Sequence, residues 1–253
     1  MPGESRPIPN SRIFEPSQYF LGPPDRAKTL EQSSDIVHHI LSYDSNAGVT
    51  RLVVNNLKAR RKADRTLRIE RETAVIAIDG VTREDEDDDE VRTSYGIYFG
   101  KNSNLNDSSI VPKECSQTKE LALLLGTSEA LKSISENIFF AASPHSASAS
   151  DSATSTPEIQ AKSRIVKVVI ITDSPYLVKC MTDWVWVWQS KGYLNSKGEW
   201  VSNHVEIAGL ANACLEIERF GGEVRFWLVE KGGVGDARRL ANQVLNDTES
   251  RDG

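Results

Sequence analysis

Residues 165–198, IVKVVIITDSPYLVKCMTDWVWVWQSKGYLNSKG, decide how this chain is read. The unbroken apolar run up to Thr172 predicts a buried strand, and it ends on an acid, Asp173. Ser174 and Pro175 then suit an N-cap and a first helical position. A carboxylate at the edge of a rigid sheet and the start of a helix is held in fixed geometry, as a functional site requires. It becomes a site only where other carboxylates converge on it. Two upstream acids are candidates: Asp79, which ends the apolar run AVIAID, and Glu120, which opens ELALLLGTSEAL.

Working outward, TAVIAID and TSYGIYFG, joined by a polar connection, predict a hairpin. Glu120 to Phe140 is long enough for a helix of several turns, with Leu121, Leu124, Leu125 and Leu131 on its apolar face. The Ser, Ala, Thr and Pro bias of residues 141–158 marks a low-complexity insertion near 141–162. A helix starting near Ser174, another over His204–Arg219, a strand in GEVRFWLVE and a closing helix in ARRLANQVL complete the order. This order predicts an α/β domain over 73–246, a mixed sheet with helices on its faces. Residues 1–72 form an extension: a poorly ordered Pro- and Ser-rich tail to about residue 34, then IVHHILSYD and TRLVVNN as a short helix or strand pair packed on the domain. Residues 247–253 are expected to be a tail.

Five Trp and a hydrophobic fraction of 39% suffice for a core, while the mean hydropathy of -0.40 and the lack of a long apolar run argue against a membrane span. Three widely spaced cysteines, Cys115, Cys180 and Cys214, and no secretory pattern at the N-terminus point to reduced thiols and an intracellular protein, nuclear or cytoplasmic. The four histidines have no helical i, i+4 pair and no Cys-x-x-Cys nearby, which argues against a structural zinc site. The net charge of -6 does not advertise a nucleic-acid binder, but charge is unevenly placed. Residues 58–71, KARRKADRTLRIER, carry seven basic and two acidic residues, whereas residues 84–90, EDEDDDE, are all acidic. Each block has a bland reading as solvated surface; the basic one is also a candidate nuclear import signal or nucleic-acid-binding arm.

Taken together these segments resemble ribonuclease H type 1, and more closely its version in filamentous fungi. AVIAIDG and YGIYFG look like that family's opening hairpin, whose first strand carries an Asp, here Asp79. CSQTKELALLLGTSEAL looks like its polar segment leading into a helix with a metal-binding Glu, here Glu120. Asp173, followed by Trp184, Trp188, Gly192, Tyr193, Gly198 and Asn203, matches its most diagnostic run, and FWLV and LAN match near the C-terminus. The resemblance implies a ribonuclease H-like fold, a five-stranded mixed sheet flanked by helices, in a monomer that hydrolyses the RNA strand of RNA/DNA hybrids. It further implies two Mg²⁺ or Mn²⁺ ions on Asp79, Glu120 and Asp173, hard oxygen ligands suited to in-line phosphodiester displacement. Ser116 and Gln117 would contact the hybrid, where short polar side chains suit a 2'-hydroxyl. Trp184, Trp188, Tyr193 and Asn203 fall in the segment used for packing and for the DNA strand, and Trp184 and Trp188, four apart, read equally as core aromatics at helical spacing.

One position departs from the family pattern. Arg238 stands where a fourth carboxylate is expected, and a cation within about 4 Å of a metal ion repels it by several kcal/mol even at an effective dielectric near 20. Asp236 lies two residues earlier, roughly 200° around a regular helix, and substitutes as a weak ligand only where the helix starts later. Two readings follow: a metal-dependent hybrid ribonuclease of reduced activity, or a catalytically degenerate ribonuclease H-like module that binds nucleic acid or a protein partner.

Overall fold

The computed structural model describes residues 12–21, 36–56, 67–84, 91–136 and 165–252. In chain order its elements are β1 (Phe20–Leu21), α1 (Ile36–Ile40), β2 (Leu41–Asp44), β3 (Val49–Asn56), β4 (Leu67–Glu84), β5 (Val91–Tyr98) and β6 (Asp107–Ile110). There follow α2 (Lys119–Ile134), β7 (Lys167–Thr172), α3 (Pro175–Lys179), a π-helical turn (Cys180–Trp184), α4 (Val185–Ser190), α5 (His204–Arg219), β8 (Glu223–Leu228) and α6 (Gly235–Asp252). The predicted hairpin is β4 and β5, antiparallel with Asp79 opposite Gly96. β6 adds antiparallel to β5, while β7 lies parallel to β4 and β8 parallel to β7. The five strands therefore run β6–β5–β4–β7–β8, the mixed sheet that was expected.

Side-chain alternation along β4 separates two cores, because successive residues of a strand point to opposite faces. Ala74, Ile76 and Ile78 face the larger one, shared with Leu121, Leu124 and Leu131 of α2 and Ile207, Leu210 and Cys214 of α5. Val75 faces the other, with Val169, Ile171, Trp227 and Ala237 of α6. Asp79 belongs to the odd-numbered set and so emerges on the α6 face.

The sheet is wider than the sequence suggested. β3 pairs antiparallel with the first half of β4, and β2 and β1 pair with β3, giving eight strands. Residues 12–21, expected in a tail, are packed instead: Phe14, Tyr19 and Phe20 are buried in the smaller core. Phe14 N–H donates to the Phe226 carbonyl at 2.9 Å and Phe226 N–H to the Arg12 carbonyl at 2.7 Å, which ties this segment along β8. Arg12, 2% exposed, forks onto Glu218 of α5 at 2.8 and 2.9 Å and lies 4.6 Å over the Trp186 ring. The helix expected from Ser174 is interrupted by the π turn, which buries Cys180 and Met181 and leaves Trp184 exposed. α2 spans Lys119–Ile134, residues 137–140 of the expected helix lie outside the described residues, and α6 runs to Asp252, through most of the expected tail. The insertion at 141–162, most of the acidic run and residues 58–66 of the basic stretch lie outside the described residues. Among the described residues no helix is long and apolar enough to cross a membrane.

Candidate active site

Ala77 pairs with Ile171 across the parallel β4–β7 ladder. Two residues further along each strand stand Asp79 and Asp173, which keeps them adjacent and on the same face. Two glycines let helices close in around them. A Cβ at Gly96, opposite Asp79, would fall 2.0 Å from the Ala237 carbonyl oxygen and 2.8 Å from Ala241 N, so α6 lies directly on β5. A Cβ at Gly80 would sit 3.0 Å from Ala122 Cβ and 3.1 Å from the Lys119 carbonyl oxygen, so the first turn of α2 crosses β4 at Gly80 on the opposite face. Thr118 caps that helix, accepting from Leu121 N–H at 3.3 Å, and sets Lys119 as its first residue.

These approaches deliver two cations to two acids. Arg238, on α6, donates through Nε to Asp79 Oδ2 at 2.6 Å and through Nη2 to Asp173 Oδ2 at 2.7 Å. Lys119 Nζ lies 2.8 Å from Asp79 Oδ1 and 3.6 Å from Asp173 Oδ1. The Gly80 amide also donates to Asp79 Oδ1, at 2.9 Å, and the Gly232 amide to Asp173 Oδ2, at 3.2 Å. The Asp79 and Asp173 side chains are 0% and 3% exposed; those of Lys119 and Arg238 are 38% and 34% exposed. The acids thus lie behind and the cations in front, two charges of each sign. Burial would push the Asp173 carboxyl up, but the Gly232 amide, Lys119 and Arg238 outweigh it and hold it below the usual carboxylate range. The hydrogen bond to Asp79 leads the effects that raise the Arg238 guanidinium above its ordinary value.

This donor set does not fit the expected pair of divalent ions. Each oxygen of Asp79 and Asp173 faces a cation that belongs to the chain itself. Glu120 is exposed, although it follows Lys119 directly. Among the described residues no group of three or more His, Cys, Asp or Glu side chains is placed to hold a metal ion. Asp236 is also outside the cluster: exposed in the first turn of α6, it pairs with Arg239 at 3.4 Å and hydrogen-bonds Tyr98. From the same helix Arg238 faces the two aspartates, and Asp236, two residues earlier, does not join them. Arg238 does not swing away from the acids.

The remaining candidates separate into exposed and structural groups. Ser116 is exposed. Gln117 is engaged in the fold, accepting from Thr93 N–H at 3.0 Å and donating to the carbonyls of Pro112 and Cys115 at 2.8 and 3.1 Å. Trp188 and Tyr193 are half-buried against the larger core, while Trp184 packs its ring on Trp188 with centroids 5.6 Å apart and is exposed on its other side. Asn203, left-handed at φ 57°, precedes α5 and hydrogen-bonds Tyr176. Sequence reasoning passed over Lys119 and Gly232. Lys119 stands inside the segment that carries Glu120, but nothing local marks it, because its partners are about 40 and 54 residues away in sequence. Gly232, at φ 92°, brings the glycine-rich EKGGVG loop to the site through its amide.

The fold class is therefore mixed α/β, with two acids side by side just past the parallel ladder of β4 and β7. No family model matches the chain. It is similar over a short segment to a ribonuclease H of Pelobacter propionicus, 52% identical over 40 residues, which is 16% of this chain and 24% of the relative. A ribonuclease H of Syntrophotalea carbinolica is 47% identical over 45 residues, 18% and 30% of the two chains. The chain spans between a quarter and a third of the length of these curated relatives. Among solved structures it is similar to a foamy viral protease-reverse transcriptase in complex with dsDNA, at 16% identity and a TM-score of 0.44, over 67% of this chain and 92% of that one. It is also similar to a type 1 ribonuclease H in complex with RNA/DNA hybrid, at 15% identity and a TM-score of 0.41, over 69% and 97%. The observed strand order, rather than these distant likenesses, carries the architecture.

Proposed function

We propose that this chain is a ribonuclease H-like protein whose ligand is RNA/DNA hybrid and whose hydrolysis of the RNA strand is suppressed. One observation carries the reading: Asp79 and Asp173 stand together just past the parallel β4–β7 ladder, yet both are held by Lys119 and Arg238. Carboxylates suited to hard cations are thereby already neutralised by side chains that cannot diffuse away. The residue-level resemblance to ribonuclease H and the short matches to curated ribonucleases H support the ligand class. We also propose an intracellular location, nuclear or cytoplasmic, which the unpaired Cys115, Cys180 and Cys214 support.

Labelled hybrid incubated with Mg²⁺ or Mn²⁺ tests it, beside an Asp79→Asn variant prepared identically. Hybrid is expected to bind, with no more cutting of the RNA strand than the variant shows. Metal-dependent cutting lost in the variant would establish the second reading, an active metal-dependent endoribonuclease, which the matches of about 50% identity favour. Binding of neither hybrid nor single-stranded RNA would point to a protein partner instead.

A further inference from the structure

The order of burial at the strand-end site gives it a face. The two carboxylates are closed off from solvent, whereas each cation keeps about a third of its side chain in contact with it. A guanidinium has five N–H donors, and Nε and one N–H of Nη2 suffice for the bonds of Arg238 to Asp79 and Asp173, leaving three. An ammonium has three, and Lys119 Nζ is within hydrogen-bond distance of one carboxylate oxygen only, Asp79 Oδ1. The spare donors come from two helices on opposite faces of the sheet and converge at one mouth. Because two acids and two bases cancel, an arriving anion meets no net negative charge from the cluster, and the nearest atoms it meets are donors. Arg suits planar, bidentate recognition of phosphate oxygens, and Lys adds a point charge beside it.

We propose that Lys119 and Arg238 form a docking site for a backbone phosphodiester of nucleic acid that needs no metal ion. The aspartates behind them act as positioning residues, orienting each cation and leaving its outer donors free. Exposed Glu120, next to Lys119, limits how closely an anion approaches from that side. The inference rests on the nucleic-acid reading above and deepens it, since it assigns the cations a ligand.

The test is binding of a fluorescent RNA/DNA hybrid to the full chain, in EDTA and in Mg²⁺, over a range of salt concentrations. Wild type is expected to bind equally well in both. Lys119→Gln and Arg238→Gln should each weaken binding about tenfold and lower the slope of log affinity against log salt by about 1, as loss of one phosphate contact does. Charge-balanced pairs, Lys119→Gln with Asp79→Asn and Arg238→Gln with Asp173→Asn, guard against misfolding and should show the same drop in slope. Inorganic phosphate should compete no better than chloride at equal ionic strength. Binding that requires Mg²⁺, an unchanged salt slope in the folded variants, or displacement by inorganic phosphate would each overturn the docking site while leaving hybrid recognition standing. No binding under any condition would overturn both.

Discussion

Arg12 and Arg238 both fork onto carboxylates, and the contrast between them separates architecture from site. Arg12 is sealed: 2% exposed, locked to Glu218, roofed by Trp186, with Nη1 buried and without a hydrogen-bond partner among the described residues. Arg238 grips two acids at shorter range but stays a third exposed, with donors to spare. The first joins the N-terminal segment to the core and has no opening to a ligand. The second has one. Burial around an ion pair, rather than its geometry, tells which of the two can meet a partner.

The strongest way to break the open site is through the backbone beneath it. Gly96→Val would place a side chain where the Ala237 carbonyl lies and lift α6 with Arg238, at a cost of about 3 kcal/mol or more by urea unfolding. Next, Glu218→Ala strands the buried Arg12 charge and should cost about 3 kcal/mol, with hybrid affinity of the folded fraction unchanged. Arg238→Gln should cost less, about 1 kcal/mol, because its partner Asp79 keeps Lys119 and the lost pair is partly solvent-screened.

A smaller effect distinguishes Asp173. Its carboxyl is held below the usual value, so its contribution is fully present above the unfolded value of about 3.9 and is lost as pH falls through the lower folded one. Wild type should therefore lose more stability than Asp173→Asn between about pH 5 and 3. The least perturbing check concerns the cysteines. Burial pushes the Cys180 and Cys214 thiols up to about 12, while Cys115 is exposed. Alkylation of the native protein at neutral pH should label Cys115 alone, and all three after denaturation.

Much of this was legible beforehand because it is written in local patterns. The β4–β5 hairpin follows from two apolar runs around a polar connection, and His204–Arg219 is helical as its periodicity indicates. Asp79 and Asp173 were marked by their places at the ends of apolar runs, and the parallel register brings them together. Glu120 was marked in the same way and proved exposed, since opening a helix does not say which way a side chain leaves it. The packing of residues 12–21 was hidden because three aromatics in a Pro- and Ser-rich segment have no periodicity; their burial depends on a core made by β7, β8 and α6.

By itself, the sequence determined the type and order of the main elements, the presence of acids closing two apolar runs and the cation at position 238. Each of these is a property of neighbouring residues or of residue identity. The tertiary structure alone decided that Arg238 turns inward and Asp236 outward, that Lys119 joins Arg238 from the other face of the sheet, and that acids lie behind cations. Those outcomes depend on how close two helices come to β4 and β5. That distance is set by Gly80 and Gly96, whose missing side chains have an effect only once the helices are packed against them.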